Sequence, residues 1–219
     1  MVTRKTQSEV QTIASYQTAL TNVEAQPTIA STMDLFGYTS EVIAEGKVLL
    51  SETQNAFVQN RREDDESRVA YADFSNKCFA IDDTYTLHRK MAKVIFRNDD
   101  ILLQKLALKG RVPKAYVNWL AAIKTFYSEI AADAEIQSKL ARLKFQKEEA
   151  DAGLTAIAEV EASRSNYIKE TGESQEATQT KDAAFAKLDH WMQDFYAVAK
   201  IAMDDKPQLL EALGVLVRN

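Results

Sequence analysis

The sequence has few residues that interrupt a helix. Only six glycines and three prolines occur among its 219 residues. Alanine, leucine, glutamate, lysine and glutamine fill the long segments between them, and all five are good helix formers. We therefore expect an all-α protein, and a chain of this length has ample material for a hydrophobic core.

The sequence also has only one cysteine, no long apolar run and no excess of basic charge. Cys78 is the single cysteine, so an intramolecular disulfide is excluded and a small buried hydrophobe is its simplest role. The amino terminus has no apolar signal-peptide segment, and no stretch approaches the roughly 18 apolar residues of a membrane-spanning helix. A net charge of −5 argues against nucleic-acid binding. These absences predict a soluble, cytoplasmic protein.

No catalytic or cofactor motif occurs. The glycines are single, and the strings GxxxxGK[ST], GxGxxG and GxSxG are absent. A di-iron bundle needs a Glu three residues before each histidine ligand, and neither His88 nor His190 has one. We therefore predict a protein that is not an enzyme and holds no cofactor or metal, with His88 at the edge of the core and His190 on the surface.

What the sequence does contain is an internal repeat. Pairing residues 6–112 with residues 113–219, at an offset of 107, gives 20 identities without a gap, where shared helical composition alone should give roughly 8. The identities include Gly46 with Gly153 and Asp82 with Asp189, and apolar pairs such as Val94 with Ile201 stay apolar. We predict a helical bundle of two tandem copies, related by an internal pseudo-two-fold and fused into one domain over residues 1–219.

Each copy reads as the same series of helices. An opening helix is followed by a short helix, a long polar-interrupted segment and a short closing helix. Ser8 is the expected cap of the first helix, Pro27 and Pro113 are expected at helix starts, and Asp204 or Asp205 is expected to cap the last helix, with Pro207 in its first turn. The predicted spans are 8–25, 28–36 and 100–108 in the first copy and 114–132 and 135–143 in the second.

The two long segments, 39–97 and 146–203, allow two interpretations. Polar runs at Asp64–Ser67 and Thr171–Ser174 predict a turn, because Gly172 suits a helix end and Ser174 a helix start. The alternative is one helix of about 60 residues, because a 3.5-residue phase continues unbroken through positions 53–88 of the first copy. We favour the turn, because the residues on this phase within the polar run are polar or charged, and we therefore expect four long core helices.

Several residues are structural candidates. A glycine inside a helix costs about 1 kcal/mol relative to alanine, so its recurrence at Gly46 and Gly153 predicts a closely approaching neighbour helix. Asp82 and Asp189 are expected on an exposed face or in an interhelical ion pair. Trp191 lies in the densest aromatic group and is expected in the core, although an exposed aromatic patch would mark a partner surface.

The closing run WMQDFYAVAKIAMDDKPQLLEALG, followed by VLVRN, resembles the carboxyl terminus of uncharacterised all-helical proteins of Bacteroidetes bacteria. The resemblance extends over the full length and includes the helix start GYTSEVIAEG at residues 37–46. It implies a helical bundle. It implies no reaction, ligand or functional residue, because this family has none assigned.

Three functions are compatible with these features. The first is a non-enzymatic interaction or scaffold protein that binds a protein partner or associates with itself through a helical face. The second is a membrane-active or pore-forming protein, which requires an exposed apolar hairpin. The third is a bundle that holds a ligand or metal, with polar groups converging near Asp82, His88 and Asp189. We expect the first, because helices and a solvated surface are all that it requires.

Overall fold

A computed structural model describes residues 8–217, and within this range the chain is helical without any strand, which confirms the all-α expectation. The helices are α1 (Glu9–Ala25), α2 (Pro27–Leu35), α3 (Ser40–Ile95), α4 (Asp100–Lys105), α5 (Tyr116–Ala132), α6 (Ala134–Leu140), α7 (Lys147–Ala202) and α8 (Leu209–Ala212). A 3₁₀ turn, Ala141–Leu143, follows α6.

The preferred turn in each long segment is wrong. Both α3 and α7 are single helices of 56 residues, so the described chain has two long helices instead of four. The two polar runs that suggested a turn are joined between the two helices, because Ser174 donates to Asp64 Oδ1 at 2.6 Å. Next to them, Asn60 donates to Thr178 Oγ1 at 2.9 Å. Because these groups are satisfied across a helix pair, they do not need a loop.

The chain divides into two compact units. Unit 1 contains residues 8–64 and 173–217 of the described chain, and unit 2 is Asp65–Gly172. Both divisions fall inside the long helices. Each unit therefore takes part of its structure from residues 6–112 and part from residues 113–219, and neither unit coincides with one sequence copy.

Unit 1 is built from α1, the first part of α3 and the last part of α7. Helix α1 runs antiparallel to α3, since Glu24 pairs with Lys47 and Gln17 with Gln54. It runs parallel to α7, since Glu9 pairs with Lys181 and Tyr16 with Asp189. Residues of α2 and α8 complete one apolar core, whose fully buried members include Leu20, Ile29, Met33, Phe195, Ala199 and Leu213.

Unit 2 repeats this plan with the other halves of the long helices. Helix α5 runs antiparallel to the first part of α7, since Tyr116 contacts Arg164 and Tyr127 contacts Gly153. Helices α4 and α6 pack at one end. The core of unit 2 is separate from that of unit 1, and its fully buried members include Tyr85, Leu106, Ile123, Phe126, Tyr127 and Leu140.

Local sequence explains most helix starts. The Ser8 hydroxyl accepts from the Gln11 N–H while the Gln11 side chain accepts from the Ser8 N–H, as in a capping box. Pro27 is the first residue of α2 as expected. The Asp99 carboxylate caps α4 through the Leu102 N–H at 2.9 Å. Gly37 follows α2 with φ +87°, a conformation that glycine adopts without strain.

Two expected helix starts are wrong. Pro113 does not begin α5, which starts at Tyr116 after an extended Ala115. Asp204 and Asp205 do not cap the last helix, because residues 204–208 form successive turns and Gln208 precedes α8 without a side-chain cap. Pro207 therefore lies just before α8, where its carbonyl accepts from the Leu210 N–H at 3.0 Å.

Candidate functional site

Both helical glycines lie against an aromatic ring. A Cβ at Gly46 would lie 2.4 Å from the Trp191 ring of α7, and a Cβ at Gly153 would lie 2.6 Å from the Tyr127 ring of α5. Contacts under 3.0 Å essentially never occur for a real Cβ. The neighbouring helix does approach closely at each glycine, as expected, but it does so through an inserted ring.

The rings come from different positions of the two sequence copies. At the offset of 107, Trp191 corresponds to Thr84 and Tyr127 corresponds to Leu20. The space beside each glycine is thus occupied by one large ring. In unit 1 this ring belongs to the long helix α7, and in unit 2 it belongs to the opening helix α5. No feature of the sequence indicated this role of Tyr127.

Asp82 and Asp189 both anchor an opening helix by a hydrogen bond to an aromatic donor. The Trp119 Nε1–H of α5 donates to Asp82 Oδ1 at 2.7 Å, and the Tyr16 hydroxyl of α1 donates to Asp189 Oδ1 at 2.8 Å. Burial, together with this bond and the carboxylate charge, raises the pKa of Tyr16, so the phenol stays a donor. The structure gives hydrogen bonds at these positions where the sequence analysis considered ion pairs.

His88 is buried in unit 2. Its ring stacks on Phe145 with centroids 4.1 Å apart, and its Nδ1 lies 3.1 Å from the Tyr127 hydroxyl. Burial lowers the pKa of His88, and the Glu149 charge opposes this shift only in part. Asp82 also belongs to unit 2, whereas Asp189 belongs to unit 1. The three residues proposed to converge are therefore divided between the units, and each already has its own protein partner.

Trp191 belongs to an aromatic group in unit 1. Its ring stacks on Phe195 at 5.6 Å and meets the edge of Tyr38 at 5.7 Å. Phe195 is fully buried and Trp191 partly buried. The group packs against the core, which accounts for its aromatic density.

An open groove of about 440 Å³ lies on unit 2. Helix α3 contributes Cys78, Phe79 and Asp82 to it, helix α5 contributes Tyr116 and Trp119, and the segment between α4 and α5 contributes Val112, Pro113 and Lys114. Burial and the nearby Asp82 charge raise the pKa of Cys78, so the thiol stays protonated and is a weak nucleophile. The groove thus offers aromatic walls and one carboxylate, and no reactive group.

A row of exposed apolar residues follows the outward face of α3 in unit 2. Val69, Leu87 and Val94 are 70%, 53% and 61% exposed, and Ala80 is also exposed. The spacings of 11, 7 and 7 residues each deviate from whole turns by only about 20°, so the four side chains lie in one line. The exposed Asn76 lies on the same line, between Val69 and Ala80. We call this row, Val69, Ala80, Leu87 and Val94, the outer α3 stripe.

The sequence analysis did not identify the outer α3 stripe, because only Val94 among its members has an apolar repeat partner. Val94 and Ile201 are both exposed, and so are the paired Val10 and Val117. The 11-7-7 spacing was the available signal, since the buried residues of the same stretch, such as Ile81, Tyr85 and Ala92, follow a different phase.

None of the helices in the described part of the chain has a segment that is both long and apolar enough to cross a membrane. Comparisons of the chain with protein-family models, with curated proteins and with solved structures gave no match.

Proposed function

We propose that this protein is a non-enzymatic interaction protein and that the outer α3 stripe is the surface on which a partner helix packs. The observation that carries the proposal is the alignment of Val69, Ala80, Leu87 and Val94 on a face that is open to solvent. Single exposed apolar residues are ordinary on a protein surface. A row of four on one helix face is the pattern by which amphipathic helices recognise each other.

The dimensions of the stripe suit a helix. Its first and last residues are 25 positions apart, which corresponds to about 38 Å or seven helical turns. Exposed charges of both signs, including Asp83 and Lys90, flank the row. Narrow apolar seams with charged borders are characteristic of paired helices, where the apolar row supplies affinity and the borders supply register.

The proposal is tested with a photo-crosslinking amino acid placed at Val69 of the full-length chain. Crosslinking in cells should give a product of discrete mass, either with another protein or with a second copy. Leu87→Glu should abolish the product, because a buried apolar contact worth about 1.5–3 kcal/mol is replaced by a charge. Val117→Glu is the matched control, since Val117 is equally exposed in unit 2 but lies on α5.

Comparison of Leu87→Glu with Val117→Glu distinguishes specific binding at the outer α3 stripe from nonspecific association. Loss of the product with Leu87→Glu and its retention with Val117→Glu would support the proposal. Absence of any product from Val69, or equal loss in both variants, would overturn it.

We also propose that the chain arose by tandem duplication. The bounds of α1 and α3, moved by 107 residues, coincide with those of α5 and α7, and the paired Asp82 and Asp189 have equivalent roles. These features support the duplication. The internal pseudo-two-fold, membership of the Bacteroidetes family that the chain resembles, and a cytoplasmic location stay predictions.

A further inference from the structure

The groove of unit 2 has one carboxylate that is only partly engaged. Asp82 Oδ1 accepts from Trp119, and among the described residues Trp119 is the one hydrogen-bond donor to Asp82, which forms no ion pair with Lys or Arg. Asp82 Oδ2 is therefore available to a further donor. The Trp119 bond fixes the orientation of the carboxylate, so a second donor would meet a preorganised acceptor.

The walls of the groove are apolar and aromatic. Phe79 is 72% exposed, and nothing in the described chain covers it. Trp119 and Tyr116 form the opposite wall, with ring centroids 6.0 Å apart. The Arg164 guanidinium lies 4.4 Å from the centre of the Tyr116 ring. The protein's own cation thus already lies over Tyr116, so Phe79 and Trp119 are the rings left for a ligand.

Asp82 is the one acidic residue among those that line the groove. The Asp82 charge raises the pKa of Cys78, in addition to the larger effect of burial. Lys114 lies at the exposed rim, where water screens its charge. A positive group bound at Asp82 would thus lie beside a carboxylate and between aromatic rings.

We propose that the groove of unit 2 binds a small organic cation, namely a primary amine that carries an apolar or aromatic body. The ammonium group donates to Asp82 Oδ2, and the body of the ligand lies between Phe79 and Trp119. The groove volume of about 440 Å³ falls in the range of small-molecule sites, about 300–1,000 Å³. This site is independent of the outer α3 stripe, and its failure would leave the proposed partner surface untouched.

The test follows the indole N–H signals of the full-length protein by two-dimensional NMR. Trp119 and Trp191 are the only tryptophans, so two indole signals are expected, and Trp119→Phe assigns them. The probe is 2-phenylethylamine, titrated to roughly 10 mM because ligands of this size bind weakly. Its neutral and anionic counterparts with the same phenylethyl body are 2-phenylethanol and 3-phenylpropionate.

The amine should shift the Trp119 signal in a saturable way and leave the Trp191 signal unchanged. The alcohol and the acid should bind at least about tenfold more weakly, because neither offers a positive charge to Asp82. Absence of a shift with the amine, or equal binding of all three compounds, would overturn the proposal.

Two variants test the residues individually. Asp82→Asn should lower the affinity for the amine about tenfold, while its amide oxygen still accepts from Trp119 and preserves the fold. Asp189→Asn is the matched control, because Asp189 makes the equivalent bond to Tyr16 and lies outside the groove. Unchanged affinity in Asp82→Asn, or the same loss in both variants, would contradict a carboxylate-centred site. Phe79→Ala should lower the affinity about threefold without unfolding the protein, since Phe79 is exposed.

Discussion

The contact between Gly46 and Trp191 leads to a prediction in which two opposing effects can be weighed. Gly46→Ala places a Cβ 2.4 Å from the indole, whereas ordinary contact begins near 3.4 Å. The ring must therefore move by about 1 Å. It cannot turn away freely, because it stacks on Phe195 and abuts Tyr38.

The expected net effect is a loss of stability. Overpacking a core of this kind costs about 1–3 kcal/mol, and the upper part of that range applies because the neighbour is a held ring. Replacing glycine by alanine in a helix returns about 1 kcal/mol. We therefore expect the free energy of unfolding to fall by about 2 kcal/mol, and Tm to fall by about 4–8 °C for a chain of this size. Gly46→Leu should lower the free energy of unfolding further than Gly46→Ala.

Gly172 provides the control within the same chain. It also lies inside a long helix, but a Cβ there would meet nothing within 4 Å. Gly172→Ala should therefore raise the free energy of unfolding by about 0.4–1 kcal/mol. Chemical denaturation of both variants measures the difference. Stabilisation by Gly46→Ala equal to that by Gly172→Ala would refute the idea that the ring dictates glycine at position 46.

Three further predictions concern other contacts. The free energy of unfolding should fall as the pH drops below about 6.5, the ordinary pKa of histidine, because burial lowers the pKa of His88 in the folded state and the unfolded state therefore takes up the proton first. Thermal unfolding of His88→Gln should depend less on pH between pH 7.5 and 5.5. The same pH dependence in His88→Gln as in the unaltered protein would show that His88 is not responsible. Tyr16→Phe should lower the free energy of unfolding by about 1–2 kcal/mol through loss of the bond to Asp189, and a double-mutant cycle with Asp189→Asn checks that the two residues are coupled. Asn60→Leu combined with Thr178→Val should leave the free energy of unfolding equal or higher, because both members of a partly buried polar pair are replaced together. In urea denaturation, Asn60→Leu alone should be less stable than the double variant, and the reverse order would count against the pairing.

Composition and spacing were sufficient to predict the all-α class and most of the short helices, because capping residues such as Ser8 and Asp99 act locally. They were insufficient in the middle of the long helices. A polar run such as Asp64–Ser67 looks the same in sequence whether it faces solvent in a turn or meets a polar partner on another helix. Ser174, which meets Asp64, is 110 residues away, and that separation explains why the turn was preferred.

The groove could not be predicted from local sequence. Its carboxylate and its indole, Asp82 and Trp119, are 37 residues apart on different helices, and the segment with Pro113 was expected to be helical. The aromatic filling of the glycine sites was hidden for a related reason, since Trp191 and Tyr127 are not repeat partners. Alignment of the two sequence copies therefore identifies the glycines but does not identify the rings that pack against them.

The central structural claim is that each compact unit combines parts of both sequence copies around its own core. The most direct test expresses residues 65–172, which contain all of unit 2, alongside residues 6–112, which form one sequence copy. Circular dichroism should show that the 65–172 fragment is helical and unfolds cooperatively on heating, which would also divide the chain into two domains in place of the single domain expected over residues 1–219. The 6–112 fragment should lack a cooperative transition. Cooperative unfolding of 6–112 as a monomer, with 65–172 unfolded, would contradict the claim.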